Sequence, residues 1–251
     1  MRGHLDVVGL GPGPKEWLTF EASEILARAS DLVGYGPYLD RVAPRDGQRR
    51  HISDNREELL RARQALELAA GGADVAVVSG GDPGVFAMAA AVFEALERGE
   101  AEWRDIDIAV HPGISAMLAA AARLGAPLGH DFCAISLSDN LKPWTIIEQR
   151  LRAAAMGDFV MALYNPASKA RPRLIYDAFE LLRGIKSLQT IVAFARAIGR
   201  QDERLVLTTL ADTDPSAADM STLVLIGANA TRSVEASGRR WIYTPRAHGV
   251  A

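Results

Sequence analysis

Short apolar runs alternate along this chain with stretches whose apolar residues recur every three or four positions. The runs are Leu5–Leu10, Leu32–Tyr35, Val75–Ser79, Ile106–Val110, Phe132–Leu137, Phe159–Tyr164, Thr190–Ala195, Arg204–Thr208 and Thr222–Ile226. Most are nearly continuous rather than alternating, which predicts strands covered on both faces. Between them, Ala22, Ile25, Leu26 and Ala29 follow the i, i+3, i+4, i+7 spacing of one helix face, with Thr19 as its N-cap. Leu59, Ala62, Leu66 and Ala69 line a second helix, and Val85, Met88, Val92 and Leu96 a third. Trp144, Ile147, Leu151 and Ala154 line a fourth, with Pro143 in its first turn, and Leu174, Ala178 and Leu181 a fifth. Ile114–Ala122 reads as a short buried helix.

The alternation predicts an α/β protein of two α/β domains with a cleft between them. The softest Gly/Pro stretch near the middle is Leu124–His130, which puts the domains at 1–124 and 125–251. The first reads as repeated βαβ units with a mostly parallel sheet. In the second, Thr190–Ala195 and Arg204–Thr208 are joined by a short polar turn, which predicts a hairpin and a mixed sheet.

Three strands of the first half run into glycine- or proline-rich loops: Gly9-Leu10-Gly11-Pro12-Gly13, Gly80-Gly81-Asp82-Pro83-Gly84 and Pro112-Gly113-Ile114-Ser115-Ala116. Loops at the carboxyl ends of strands are where open α/β sheets bind ligands. Glycine lets a ligand approach backbone where a Cβ would collide. A dinucleotide fingerprint fails, because Pro14 stands where the third glycine belongs and Pro12 and Pro14 remove amide donors. No Gly-Lys-Ser/Thr occurs, so a Walker loop is excluded. In the second loop Asp82 and Pro83 also read as a helix N-cap and first helical residue, but a simple cap needs neither Gly80 nor Gly81.

Composition narrows this little further. The 251 residues are 49% apolar and carry a net charge of −3, which gives no general attraction to nucleic acid or anionic membrane. Cys133 is the one cysteine, so no intrachain disulfide forms, and with no leader pattern at the start the expectation is a cytoplasmic protein. The five histidines lack ligand spacing, and no metal site is expected.

The order Gly-Leu-Gly-Pro-Gly, Gly-Gly-Asp-Pro-Gly-Val-Phe, His-Pro-Gly-Ile-Ser-Ala and Leu-Tyr-Asn-Pro resembles the tetrapyrrole methylases over nearly the whole chain. Val33-Gly34-Tyr35, Ser136-Leu137-Ser138-Asp139, Tyr164-Asn165-Pro166-Ala167-Ser168-Lys169 and Phe194-Ala195-Arg196-Ala197 resemble the branch of cobalamin synthesis that acts on precorrin-3B. The resemblance implies S-adenosylmethionine as methyl donor, a tetrapyrrole substrate, a homodimer, and both ligands in the interdomain cleft. It implies that Pro12 lies in a loop closing over donor and tetrapyrrole. Gly80, Gly81, Asp82 and Val85 match the loop around the methionyl part of the donor, and Ser115 and Ala116 the second donor loop. Asn165, Ala197 and Ala228 fall where the family holds adenosine. Lys15 and Lys142 depart from the usual pattern.

The resemblance further implies that the macrocycle contracts as it is methylated, which needs proton transfer. The candidates are Tyr35, His51, Asp139 and Lys142, each of which also has an ordinary packing or capping role open to it. No catalytic residue is singled out. The substrate's carboxylates need local cations, and Arg45, Arg49, Arg50, Lys169, Arg171 and Arg173 cluster in two segments that read as loops. Tyr35, Arg49, Asp139, Lys142 and Lys169 are the substrate-binding candidates. Within the family, a uroporphyrinogen or other precorrin methylase is the alternative. From outside it, a nicotinamide-dependent oxidoreductase is a minor one and a tetrapyrrole carrier another.

Overall fold

A computed structural model describes residues 3–167 and 172–247 of the chain. It divides into two compact units, one up to Ser115 and one from Ala116 onward.

The first unit runs β1 (His4–Gly9), α1 (Phe20–Arg28), β2 (Asp31–Tyr35), α2 (Gly36–Leu39), β3 (Arg49–Ser53), α3 (Glu58–Ala70), β4 (Asp74–Ser79), α4 (Met88–Arg98) and β5 (Asp107–His111). Its sheet has the order β3-β2-β4-β1-β5, and every pairing is parallel. Apolar side chains leave both faces. Leu5, Val7, Val33, Val75 and Val77 pack with Ala62, Leu66 and Val92 of α3 and α4. Val8, Leu32, Ala76 and Val78 pack on the other side with Ala22, Ile25 and Leu39 of α1 and α2. This two-sided burial is why the strands read as continuous apolar runs. Thr19 caps α1 as expected, its hydroxyl accepting from the Ala22 amide at 3.1 Å.

The second unit runs α5 (Ala116–Leu124), β6 (Gly125–Ala126), β7 (Phe132–Ser136), α6 (Trp144–Met156), β8 (Val160–Tyr164), α7 (Leu174–Arg183), β9 (Ile191–Arg196), β10 (Arg204–Thr209), β11 (Thr222–Ile226), β12 (Arg232–Ala236) and β13 (Arg239–Tyr243). Its main sheet has the order β10-β9-β11-β8-β7. β7 and β8 are parallel, whereas β9, β10 and β11 join by antiparallel pairings, so the sheet is mixed and the expected hairpin is present. Ile147, Leu151, Ile175, Phe179 and Leu182 of α6 and α7 bury one face of it against Leu163, Phe194 and Val224. A small second sheet has the order β12-β13-β6.

Four expectations change. α4 begins at Met88, so Asp82 and Pro83 do not start a helix and Val85 precedes it. Pro143 occupies the N-cap position of α6 rather than its first turn. Arg49 and Arg50 lie on a strand, β3, not in a loop. The β12–β13 hairpin adds strands where none was expected. Among the described residues no helix is long and apolar enough to cross a membrane, and no cluster of His, Cys, Asp and Glu is placed to hold a metal ion.

Candidate active site

The three glycine loops of the first unit leave the carboxyl ends of β1, β4 and β5, three adjacent strands, and they touch through backbone. Gly11 and Gly81 form a two-bond bridge, each amide donating to the other's carbonyl at 3.1 Å. A Cβ on Gly9 would lie 2.7 Å from the Gly113 amide nitrogen and 2.8 Å from the Gly81 carbonyl oxygen. A Cβ on Gly113 would lie 2.3 Å from that same oxygen. Gly9, Gly81 and Gly113 are thus three backbones in direct contact, and no side chain fits between them. Gly81 differs in its outward aspect. Its φ is +70°, and a Cβ there would find nothing closer than the Ile114 carbonyl oxygen at 3.9 Å. That clear space over a left-handed glycine is room for a ligand against the backbone.

Asp82 ties the second loop to the third. Its carboxylate accepts from the Gly84 amide at 2.8 Å and from the Gly113 amide at 3.1 Å. The residue therefore caps a tight turn and bridges two loops, in place of the helix cap its sequence suggests. Asp82→Ala is expected to cost about 1–2 kcal/mol by leaving both amides without this charged acceptor. Urea denaturation measures that cost, and amide exchange at Gly113 should rise with it. Val85 follows in the same segment, and Phe86 there has φ 53°. Ser115 is buried at the end of the third loop.

Tyr35 ends β2 on the same side of the sheet as the loops and meets Tyr38 edge to face, with ring centroids 5.4 Å apart. Tyr38 in turn covers Gly80, where a Cβ would come within 2.6 Å of the ring. Behind them Arg61 is buried on α3. It donates from Nε to the Ser53 hydroxyl at 2.7 Å and from Nη2 to the Asp54 carbonyl at 2.8 Å, and its Nη1 lies 3.2 Å from Met88 Sδ. Burial pushes its guanidinium below the usual arginine range, offset in part by Glu58 and Glu57.

Arg49 and His51 are engaged elsewhere. Arg49 opens β3 at the amino end of the sheet, away from the loops, and pairs with the fully buried Asp31 at 2.8 Å. His51 Nε2 is 2.7 Å from the other oxygen of that carboxylate. Burial of Asp31 would raise its pKa, but hydrogen bonds from Arg49, His51 and Ser30 outweigh it and hold the carboxyl below its ordinary value. Arg50 donates to the carbonyls of Leu39 and Val42 at 3.0 and 2.7 Å, and Arg45 to that of Ala29 at 3.0 Å. All three arginines thus have partners within the fold.

In the second unit β8 and β9 point the same way, since both are antiparallel to β11. Their carboxyl ends carry Asn165, with φ 53°, and Ala197, with φ 49°. Left-handed backbone is unfavourable for residues with a Cβ, and alanine has no polar side chain to offset it. Asn165 is steadied by its amide, which donates to the buried Ser136 hydroxyl at 3.0 Å. Tyr164 Oη accepts from the Met117 amide at 3.1 Å, next to Ala116 at the start of α5. The loop after β7, carrying Asp139 and Lys142, leaves the same end of the sheet. Lys142 Nζ donates to the Ser138 carbonyl at 3.3 Å, and burial followed by the nearby Arg150 lowers its pKa. Ala228 follows β11 and so sits at the opposite end of the sheet, where the neighbouring Asn229 amide meets the Asp158 carboxylate at 3.0 Å. Lys169 and Arg171 lie outside the described residues, and Arg173 precedes α7 beside Asp177, 3.9 Å away.

Two residues were missed in the sequence: Arg61, which supports the end of β3, and Arg41, whose Nη2 lies 3.1, 3.0 and 2.8 Å from the carbonyl oxygens of Leu10, Gly11 and Gly13. No motif marks either of them, because their partners are distant in sequence.

Glycine loops nested at the carboxyl ends of parallel strands, with room over Gly81, define an α/β enzyme with a small-molecule site. The profile of the Tetrapyrrole (Corrin/Porphyrin) Methylases matches residues 4–214, and the chain belongs to that family. It is 57% identical over 247 residues to a precorrin-3B C(17)-methyltransferase of Sinorhizobium sp, covering 98% of this chain and 97% of the relative. The crystal structure of the methyltransferase CobJ superposes with a TM-score of 0.92 at 53% identity, covering 97% of this chain and all of that one, 100%. A uroporphyrin-III C-methyl transferase from Thermus thermophilus, complexed with S-adenyl homocysteine, shares the fold at TM-score 0.67 and 24% identity, over 90% of this chain and 92% of that one.

Proposed function

We propose that this chain transfers a methyl group from S-adenosylmethionine to C17 of precorrin-3B and contracts the macrocycle to precorrin-4, as a step of cobalamin biosynthesis. The observation that carries this reading is the end-to-end 57% identity to a relative named for that reaction. The homodimer implied by the family resemblance and the cytoplasmic location expected from the sequence are part of the same proposal.

The donor, when bound, supplies a methyl group made electrophilic by its sulfonium. Gly80, Gly81, Asp82 and Val85 are proposed to hold its methionyl part, with Pro12, Ser115 and Ala116 beside it. The free space over Gly81 supports that placement. Asn165 and Ala197 are proposed for the adenosine; Ala228, at the opposite end of the sheet, is not. The chain's task toward the donor is alignment and exclusion of water. Lys142 and Asp139 are proposed to face the tetrapyrrole, together with Tyr35 and Lys169; Arg49, paired with Asp31 at the other end of its sheet, is not. The lowered pKa of Lys142 makes its ammonium a readier proton donor than an exposed lysine.

Contraction is an isomerisation and adds no mass. Anaerobic incubation with precorrin-3B and labelled donor should therefore give a product heavier by one methylene, one S-adenosylhomocysteine per turnover, and an altered absorption spectrum. Mass spectrometry and carbon NMR read these. Methylation of uroporphyrinogen III with none of precorrin-3B would move the assignment within the family. Methylation without contraction would keep the transferase and refute the coupled step.

A further inference from the structure

We propose that Arg41 is a positioning residue for the donor site, acting through the backbone of the first glycine loop; the inference rests on the donor reading above. The loop Gly11-Pro12-Gly13-Pro14 contains two prolines, so it lacks two of the amides with which a turn ties itself together. Its carbonyls need donors from outside. Arg41 supplies them. One guanidinium nitrogen lies within 3.1 Å of three carbonyl oxygens, those of Leu10, Gly11 and Gly13. A nitrogen with two protons shares them among three acceptors, so what is fixed is a positive charge among three inward-turned peptide dipoles. Pro12 stands between two of those carbonyls, and its placement follows from theirs.

The loop is then held from two sides, by the Gly81 bridge on one and Arg41 on the other. Arg41 is itself seated by its neighbours. Arg50 on β3 donates to the carbonyls of Leu39 and Val42, and the Arg41 amide donates to the Tyr38 carbonyl at 3.1 Å. The Tyr38 ring meanwhile covers Gly80 of the second loop. A single short segment after β2 therefore touches two of the three loops.

Arg41 is solvent-exposed, and two of the three residues whose carbonyls it meets, Gly11 and Gly13, lie outside the hydrophobic clusters of the unit. A role confined to fold stability and a role in loop placement consequently predict different results. Arg41→Ala should lower affinity for S-adenosylhomocysteine roughly tenfold or more, as expected for losing a charged donor to several carbonyls. Its melting temperature should fall by less than about 3 °C, as for a surface substitution. Hydrogen exchange across residues 9–17 should accelerate. Arg41→Lys, which keeps the charge without the fork, should recover part of the affinity. Arg104→Ala, a surface arginine bonded to the Glu97 carbonyl, serves as the control with wild-type affinity. Arg41→Ala with wild-type affinity and unchanged exchange would overturn the proposal. So would an Arg41→Ala chain that fails to fold, since the assigned role is confined to the loop. A wild-type chain that binds no S-adenosylhomocysteine would instead remove the donor reading on which this one stands.

Discussion

Gly81→Val should abolish binding of S-adenosylhomocysteine while the fold survives. The substituted side chain would not strike the protein, because its Cβ position is clear to 3.9 Å. It would fill the space over the backbone instead, where the donor is proposed to lie. The backbone adds a second penalty, since φ is +70° and a β-branched residue resists that conformation. We expect a stability loss of about 1–2 kcal/mol from the left-handed residue. The affinity loss should be on the order of hundredfold or more, equivalent to about 3 kcal/mol. Calorimetry with S-adenosylhomocysteine and a thermal melt separate the two effects. A folded Gly81→Val chain that binds like wild type would take this loop out of the donor site.

Gly113→Ala should do the opposite, damaging the protein before any ligand is present. Its Cβ would stand 2.3 Å from the Gly81 carbonyl oxygen, 2.9 Å from the Gly9 carbonyl carbon and 3.0 Å from the Gly9 Cα. All three are backbone atoms, so no rotamer change relieves the clash. The third loop must move away from the first two, which strains the Asp82 bridge to the Gly113 amide as well. The expected cost is about 3 kcal/mol, at the upper end of overpacking effects, from a single methyl group. Denaturant titration of the purified variant measures it. A Gly113→Ala chain as stable as wild type would mean that the three loops are not in backbone contact.

The sheets were legible in the sequence because burial on both faces leaves a continuous apolar run, as in Val75–Val78. The same reasoning passed over β3, whose Arg-Arg-His-Ile-Ser is polar because it forms the edge of its sheet. It also passed over the β12–β13 hairpin, which is largely exposed; its signal was the Ser237-Gly238 turn, both residues left-handed. Arg49, Arg50 and His51 read as candidates for the substrate because the register that sets Arg49 beside Asp31 is invisible from composition. The glycine loops stood out as a pattern, but the reason for the glycines did not. Gly9 and Gly113 are required by each other, and only Gly81 faces open space. Asp82, picked out as a donor-loop residue, also read as a helix cap, which it does not make. Its actual partner, Gly113, lies a strand away and leaves no trace in local spacing.

The strand order of the first sheet has a consequence for the order in which the polypeptide acquires its structure during synthesis. β1 is synthesised ahead of both its neighbours, since it lies between β4 and β5, which begin only at Asp74 and Asp107. Until β4 emerges, its row of amides and carbonyls has no strand beside it. At roughly 5–20 residues per second of elongation, that wait for β4 is on the order of 3–15 s. Its apolar residues Leu5, Val7 and Val8 are exposed for the same interval. The nascent chain therefore carries an adhesive segment until β4 is made, and its yield in the cell depends on what shields those residues before the centre of the sheet closes over them.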